Sequence, residues 1–164
     1  MTFEEYVASR GSALVRLARL LTGDPHRAED LVQEVLARAW ARWRRINRVD
    51  DPDVYIRRML VNANISWWRR RASHEVSVAA VTETARREDI GGDTAARDEI
   101  WRLIVALPDR QRAVLVLRYY EDLDDTRIAD ILDCSPVTVR THAMRGIASL
   151  RARFDALQIP RSRP

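Results

Sequence analysis

Apolar residues recur every three to four positions through most of this chain, the spacing that lines one face of an α-helix. Phe3, Val7, Leu14, Leu17, Ala18 and Leu21 predict a first helix that Gly23-Asp24-Pro25 terminates. From Ala28 the positions Leu31, Val32, Val35, Leu36, Ala39, Trp43 and Ile46 keep the same rhythm over five turns and predict one continuous second helix. It leaves Glu29, Asp30, Gln33, Glu34, Arg38, Arg42 and Arg45 outside. Asp50-Asp51-Pro52-Asp53 is a natural helix start, so a third helix is expected over about Val54 to Arg71, with Tyr55, Ile56, Met59, Leu60 and Ala63 inward. It ends in Trp67-Trp68-Arg69-Arg70-Arg71. Adjacent helical residues point about 100° apart, so both tryptophans cannot lie centrally in one core. One is expected inside and the other partly exposed beside the arginines.

Periodicity fades over 75–99, where Ser, Thr, Ala, Gly91-Gly92 and scattered acids read as a linker. It resumes near Thr94 with Ile100, Trp101, Leu103, Ile104 and Leu107, then in a helix opened by Pro108-Asp109 and carrying Ala113, Val114, Leu117 and Tyr120. Two short helices follow. Asp124 or Asp125 can cap the first, which carries Ile128, Ala129, Ile131 and Leu132; Asp133-Cys134 is the turn; Ser135 caps the second with Pro136 at its first position. This is helix-turn-helix spacing. Val139, Ala143, Ile147 and Leu150 face inward, so Arg140, Thr141, Met144 and Arg145 project together, a row that a major groove accepts. The expected fold is all-α: two small helical domains, 1–74 and 100–164, joined by a flexible acidic linker, 75–99, the C-terminal domain being a helix-turn-helix.

Charge sharpens this division. The 164 residues carry 28 basic and 24 acidic side chains, net +4, and every basic residue is Arg. Residues 1–74 are net +5, 75–99 net −4 and 100–164 net +3. Within the first domain, 38–74 holds 10 Arg against 3 acids, and within the last, 136–164 holds 6 against 1. Guanidinium groups grip phosphates bidentately and stack on bases, so both stretches are candidate nucleic-acid surfaces. A relaxed connector of this length averages only about 25–30 Å end to end, whereas a stretched one reaches roughly 80–90 Å. The two basic units therefore act on sites about two duplex turns apart only if the connector is held extended. No apolar run approaches the roughly 20 residues that cross a bilayer, and the acidic start Met1-Thr2-Phe3-Glu4-Glu5 is unlike a signal peptide. A cytoplasmic protein without membrane insertion is expected. Cys134 stands alone, which excludes an internal disulfide or a multi-cysteine zinc site.

Three segments together carry a family resemblance. Ala28-Glu29-Asp30-Leu31-Val32-Gln33-Glu34-Val35 through Arg42-Trp43, Leu107-Pro108 through Arg112-Ala113-Val114-Leu115, and the helix-turn-helix resemble, in that order, a bacterial extracytoplasmic-function (ECF) sigma factor over nearly the whole chain. The resemblance implies an initiation subunit that binds core RNA polymerase and directs it to promoter DNA. It assigns Asp30, Gln33 and Glu34 to docking on the polymerase. Asn62 falls where relatives contact a flipped base of the −10 element, with Tyr55, Trp67, Arg69 and Arg70 as further candidates, and an interruption of the third helix near Val61–Asn64 is implied. Extruding a base costs a few kcal/mol, which stacking and phosphate contacts must offset. Arg140, Thr141, Met144 and Arg145 fall on positions that face the −35 element. Val137 and His142 depart from the common family pattern, where Gly and Arg are frequent. The acidic linker, through Glu83, Glu88, Asp89 and Asp93, is expected to mimic nucleic acid inside the polymerase. An anti-sigma factor is a further implied partner; no cofactor and no small-molecule substrate are implied.

Two other readings stand beside this one. Ser135 through His142 also resembles the terminal domain of LuxR-type regulators, which act as dimers on their own sites, although the first domain lacks the alternating strands of a receiver. Asp122, Asp124 and Asp125 form a carboxylate cluster of the kind that holds Mg²⁺ in nucleases. Without a nucleophile motif, a Gly-rich phosphate loop or a His/Cys ligand set, those acids are more simply helix caps.

Overall fold

Helix boundaries follow the capping chemistry closely. In a computed structural model describing residues 1–75 and 95–158, α1 (Phe3–Thr22) opens with a capping box between Thr2 and Glu5 and closes on Gly23 in the left-handed region, φ 72°. The acidic positions Glu83, Glu88, Asp89 and Asp93 lie outside the described residues. Asp24 caps α2 (Pro25–Ala41), accepting from the His26 and Arg27 amides. Asp51 does the same for α4 (Pro52–Glu75), accepting from the Asp53 and Val54 amides.

The single long second helix expected from periodicity is instead two. It breaks at Arg42 (φ −119°, ψ 13°) and resumes as the four-residue α3 (Trp43–Ile46). The break lets Trp43 lie across the start of α1, its ring centroid 5.4 Å from both Phe3 and Tyr6 and its indole N–H on the Met1 carbonyl at 3.3 Å. Ile46 still reaches the core, 1 % exposed, so the apolar rhythm continues through the break.

Conversely, the interruption implied near Val61–Asn64 is absent: α4 is continuous. Val61, Ala63, Asn64 and Ile65 are all buried there, and no Gly or Pro follows Pro52 within the helix. Tyr55, expected inward, is exposed. The α1–α2–α4 core is closed at one end by Tyr6, whose hydroxyl donates to Asp53 Oδ1 at 2.9 Å, while Arg57 Nε pairs with Asp53 Oδ2 at 2.9 Å. Burial, reinforced by Asp53, pushes the Tyr6 hydroxyl pKa well up, so it stays a donor.

In the second unit α5 (Ala95–Val105) starts inside the segment read as linker. After the turn at Ala106–Pro108 comes α6 (Asp109–Leu115), which widens into a π-helical turn at Val116–Tyr120. One extra residue per turn shifts the phase, so Tyr120, expected on the inner face with Leu117, is exposed instead. Asp124 caps α7 (Asp125–Leu132), accepting from the Arg127 amide. Asp133 turns the chain with φ 54°, and Ser135 Oγ accepts from the Thr138 amide to start α8 (Pro136–Gln158). Ala113, Val114, Leu117, Ile128, Leu132, Val139 and Ala143 form the core of this unit. Gly146 lies where α8 meets α6: a Cβ there would stand 2.9 Å from Leu115 Cδ1 and 3.3 Å from its Cγ. Among the described residues, no helix is long and apolar enough to cross a membrane.

Candidate nucleic-acid and protein interfaces

The outer side of α2 combines acids with an apolar groove. Asp30, Gln33 and Glu34 are exposed together; Glu34 pairs with Arg38 at 3.2 Å on the surface. Gln33, Ala37 and Trp40 repeat at i, i+4 and i+7 and therefore share one flank. That flank borders a groove lined by Phe3, Val7 and Ala8 of α1 and by Leu36, Ala37 and Trp40 of α2. Trp40 is 65 % exposed. An apolar patch rimmed by charge is the usual composition of a protein-binding face. Trp40 was not among the residues expected here, although its position out of phase with Ala39 and Trp43 is a legible sign that it points outward.

A second face runs along α4. Tyr55, Arg58, Asn62, Ser66, Arg69 and Ser73 are exposed, and helical geometry places them within one stripe about 27 Å long, with Arg70 at its edge. The structure thus brings Asn62, Tyr55, Arg69 and Arg70 together and adds Arg58 and Ser66. It does not put Trp67 among them. Both Trp67 and Trp68 are half-buried, and one face of the Trp67 ring is covered by the Arg27 guanidinium at 3.1 Å, with Arg71 at 5.1 Å. On the opposite side of α4 from the stripe, Asn64 is fully buried and its Oδ1 accepts from Arg27 Nη2 at 2.5 Å.

The third face is the start of α8. Val137, Arg140, Met144 and Arg145 are exposed and Thr141 is half-buried, its hydroxyl donating to the Val137 carbonyl at 3.1 Å. Arg140 lies 3.8 Å from Asp125, which also binds Arg118 at 2.7 Å, so the carboxylate at the start of α7 ties α7 to the π-turn and faces Arg140 of α8. Of the carboxylate cluster, Asp124 caps α7 and Asp125 pairs with Arg118. Partial burial, then Arg110 and Arg145, pulls the His142 pKa down, so its imidazole is neutral at pH 7. Burial raises the Cys134 thiol despite Arg110, the reverse of what a reactive thiolate needs.

These features agree with comparison to known proteins. Residues 6–74 match the family model of sigma-70 region 2, and residues 97–150 that of sigma-70 region 4. The RNA polymerase sigma-E factor of Streptomyces coelicolor is 37% identical over 95% of this chain and 88% of its own length. The ECF RNA polymerase sigma factor SigW of Bacillus subtilis is 26% identical over 94% of this chain and 90% of its own. Among solved structures, the sigma factor RpoE of Bartonella quintana, in complex with the anti-sigma factor NepR, superposes with a TM-score of 0.72 at 22% identity, covering 97% of this chain and 98% of that one. With both regions in order and a full-length relative above a third identical, the chain belongs to the ECF group of sigma-70 family RNA polymerase sigma factors.

Proposed function

We propose that the three faces divide the work of a sigma factor. The acidic row Asp30, Gln33 and Glu34, with the groove beside Trp40, docks on core RNA polymerase. The α4 stripe, led by Asn62 with Tyr55, Arg69 and Arg70, captures the opened −10 strand. Arg140, Thr141, Met144 and Arg145 read the −35 duplex. Residues 1–74 and 100–164 are the corresponding functional units, and 75–99 the acidic connector, which the polymerase holds extended up to the start of α5 at Ala95. The observation that supports this best is the α4 stripe: an amide able to donate and accept, an aromatic ring and guanidinium groups on one exposed helix face, which is what base capture demands. Catalysis on this reading belongs to the polymerase; the protein is not an enzyme and acts in the cytoplasm. An anti-sigma factor that covers the same faces is the partner expected to restrain it.

Run-off transcription with core polymerase over a promoter library tests the assignment. The wild-type protein is expected to select promoters with two conserved elements, and Asn62→Ala to lose about tenfold in preference at one −10 position while leaving the −35 preference intact. A protein that binds a defined operator tightly without core polymerase, and directs no transcripts with it, is a LuxR-type regulator instead.

Arg140 and Arg145 of α8 are separable by salt. An arginine that reads a base relaxes specificity at that position when changed to Ala, by about 1–3 kcal/mol. One that binds phosphate weakens all sequences alike and lowers the salt slope by about one. Because Arg140 is pre-oriented by Asp125 and Arg145 shows no ion pair among the described residues, Arg140→Ala is expected to give the first result and Arg145→Ala the second.

A further inference from the structure

The far end of the α4 stripe stands beyond the apolar core of its unit. Full burial of apolar side chains on α4 stops at Ile65, Trp67 and Trp68 are half-buried, and every side chain from Arg69 to His74 is exposed. Yet Arg69, Arg70 and Ser73 make up that end of the stripe. Arg27, on the first turn of α2 and with its backbone amide held by Asp24 at 3.3 Å, reaches α4 just before that end. Its guanidinium carbon stands over the Trp67 ring, 3.1 Å from the centroid, and the same group donates to the fully buried Asn64. Asn64, Trp67 and Arg71 follow each other at i, i+3 and i+7, so they form one face, turned away from the stripe. A planar guanidinium serves the ring with its face and the amide with its edge; an ammonium group cannot do both.

The contact therefore braces the rotation of α4 about its axis at the edge of the core. A rotation of about 20° moves a side-chain tip on the stripe by about 2 Å. Misplacement of about 1 Å is enough to cost up to a hundredfold where groups must meet a reacting or extruded partner. We propose that Arg27 is a positioning residue for promoter opening: it holds the distal turns of α4, with Arg69 and Arg70, in register to receive the separated strand. The proposal rests on the reading of the α4 stripe as the strand-capturing face.

The test uses holoenzyme assembled from core RNA polymerase and the full chain, on a promoter selected by run-off transcription. Core affinity, thermal stability and the rate of strand opening, followed by 2-aminopurine fluorescence in the −10 element, are measured for each variant. Arg27→Lys keeps the charge and is expected to bind core within about twofold of wild type while opening roughly three- to tenfold more slowly. Trp67→Ala is expected to slow opening to the same degree and to add nothing on top of Arg27→Lys, whereas Trp67→Phe, which keeps an aromatic face, loses less. Arg69→Ala serves as the control for the stripe itself. If Arg69→Ala slows opening and Arg27→Lys does not, the positioning role is overturned and the stripe stands. If neither Arg69→Ala nor Asn62→Ala affects opening, the stripe reading fails and the proposal with it. A fall in core affinity or stability proportionate to the slower opening makes Arg27 a general support of the fold and overturns the proposal.

Discussion

Reversing Asp30 and Glu34 together to Arg is expected to weaken binding to core RNA polymerase by about a hundredfold, because like charges set against a complementary surface cost several kcal/mol. The folded chain tolerates the change. Both side chains are exposed, and the ion pair lost between Glu34 and Arg38 is half in solvent on each side, worth at most about 1 kcal/mol. The α2 core of Ala28, Leu31, Val32, Val35 and Ala39 is untouched. Titration of labelled protein with core enzyme reads the loss, and circular dichroism confirms that the helices persist. Affinity within a factor of two of wild type removes the acidic row from the docking face and leaves the groove at Trp40 to account for it.

Arg112→Met is expected to destabilise the second unit by about 3 kcal/mol, a large share of the roughly 3–10 kcal/mol available to a unit of this size. Arg112 is 4 % exposed on the first turn of α6, and its Nη1 donates to the carbonyls of Val105 at 2.8 Å and Leu107 at 3.2 Å. Those carbonyls belong to the end of α5 and the turn after it, groups that a helix leaves without intrahelical partners. Its Nη2 also pairs with Asp109 at 2.5 Å. Burial lowers the Arg112 pKa, opposed by Asp109, so the charge is retained at a cost that its partners offset. Methionine fills most of the space and supplies none of these bonds. Amide hydrogen exchange on the full chain locates the effect: protection falls in α6–α8 and holds in α1, α2 and α4. Unaltered protection throughout shows that water or neighbouring groups replace the guanidinium.

The helices themselves were legible because apolar period and caps coincide: Gly23, Asp24, Pro52, Asp124 and Ser135 all stand where the chain turns into or out of a helix. What was hidden has local physical causes. The break at Arg42 leaves Ile46 in phase with the helix before it, so the pattern carries no trace of it. The π-turn at Val116–Tyr120 adds a residue that no periodicity announces. Continuity of α4 was masked by the family likeness, although its own residues favour an unbroken helix. Two arginines with internal roles, Arg27 and Arg112, look in the sequence like any of the other 26. The candidate faces on α2 and α8 were nearly readable from the spacing of their polar residues. On α4 the eye is drawn to Trp67 and the arginine run, while the geometry assembles Tyr55, Arg58, Asn62, Ser66 and Arg69.

The bare backbone of Gly146 sets how near α8 lies to Leu115. It sits six residues beyond Arg140, about 9 Å along the helix axis. On the proposed reading of α8, its pitch in the groove is thus set from the helix's inner face, where a methyl group is missing, and not from the row that faces the duplex. On that reading, a side chain introduced at Gly146 shifts promoter preference while Arg140, Thr141, Met144 and Arg145 all stay the same.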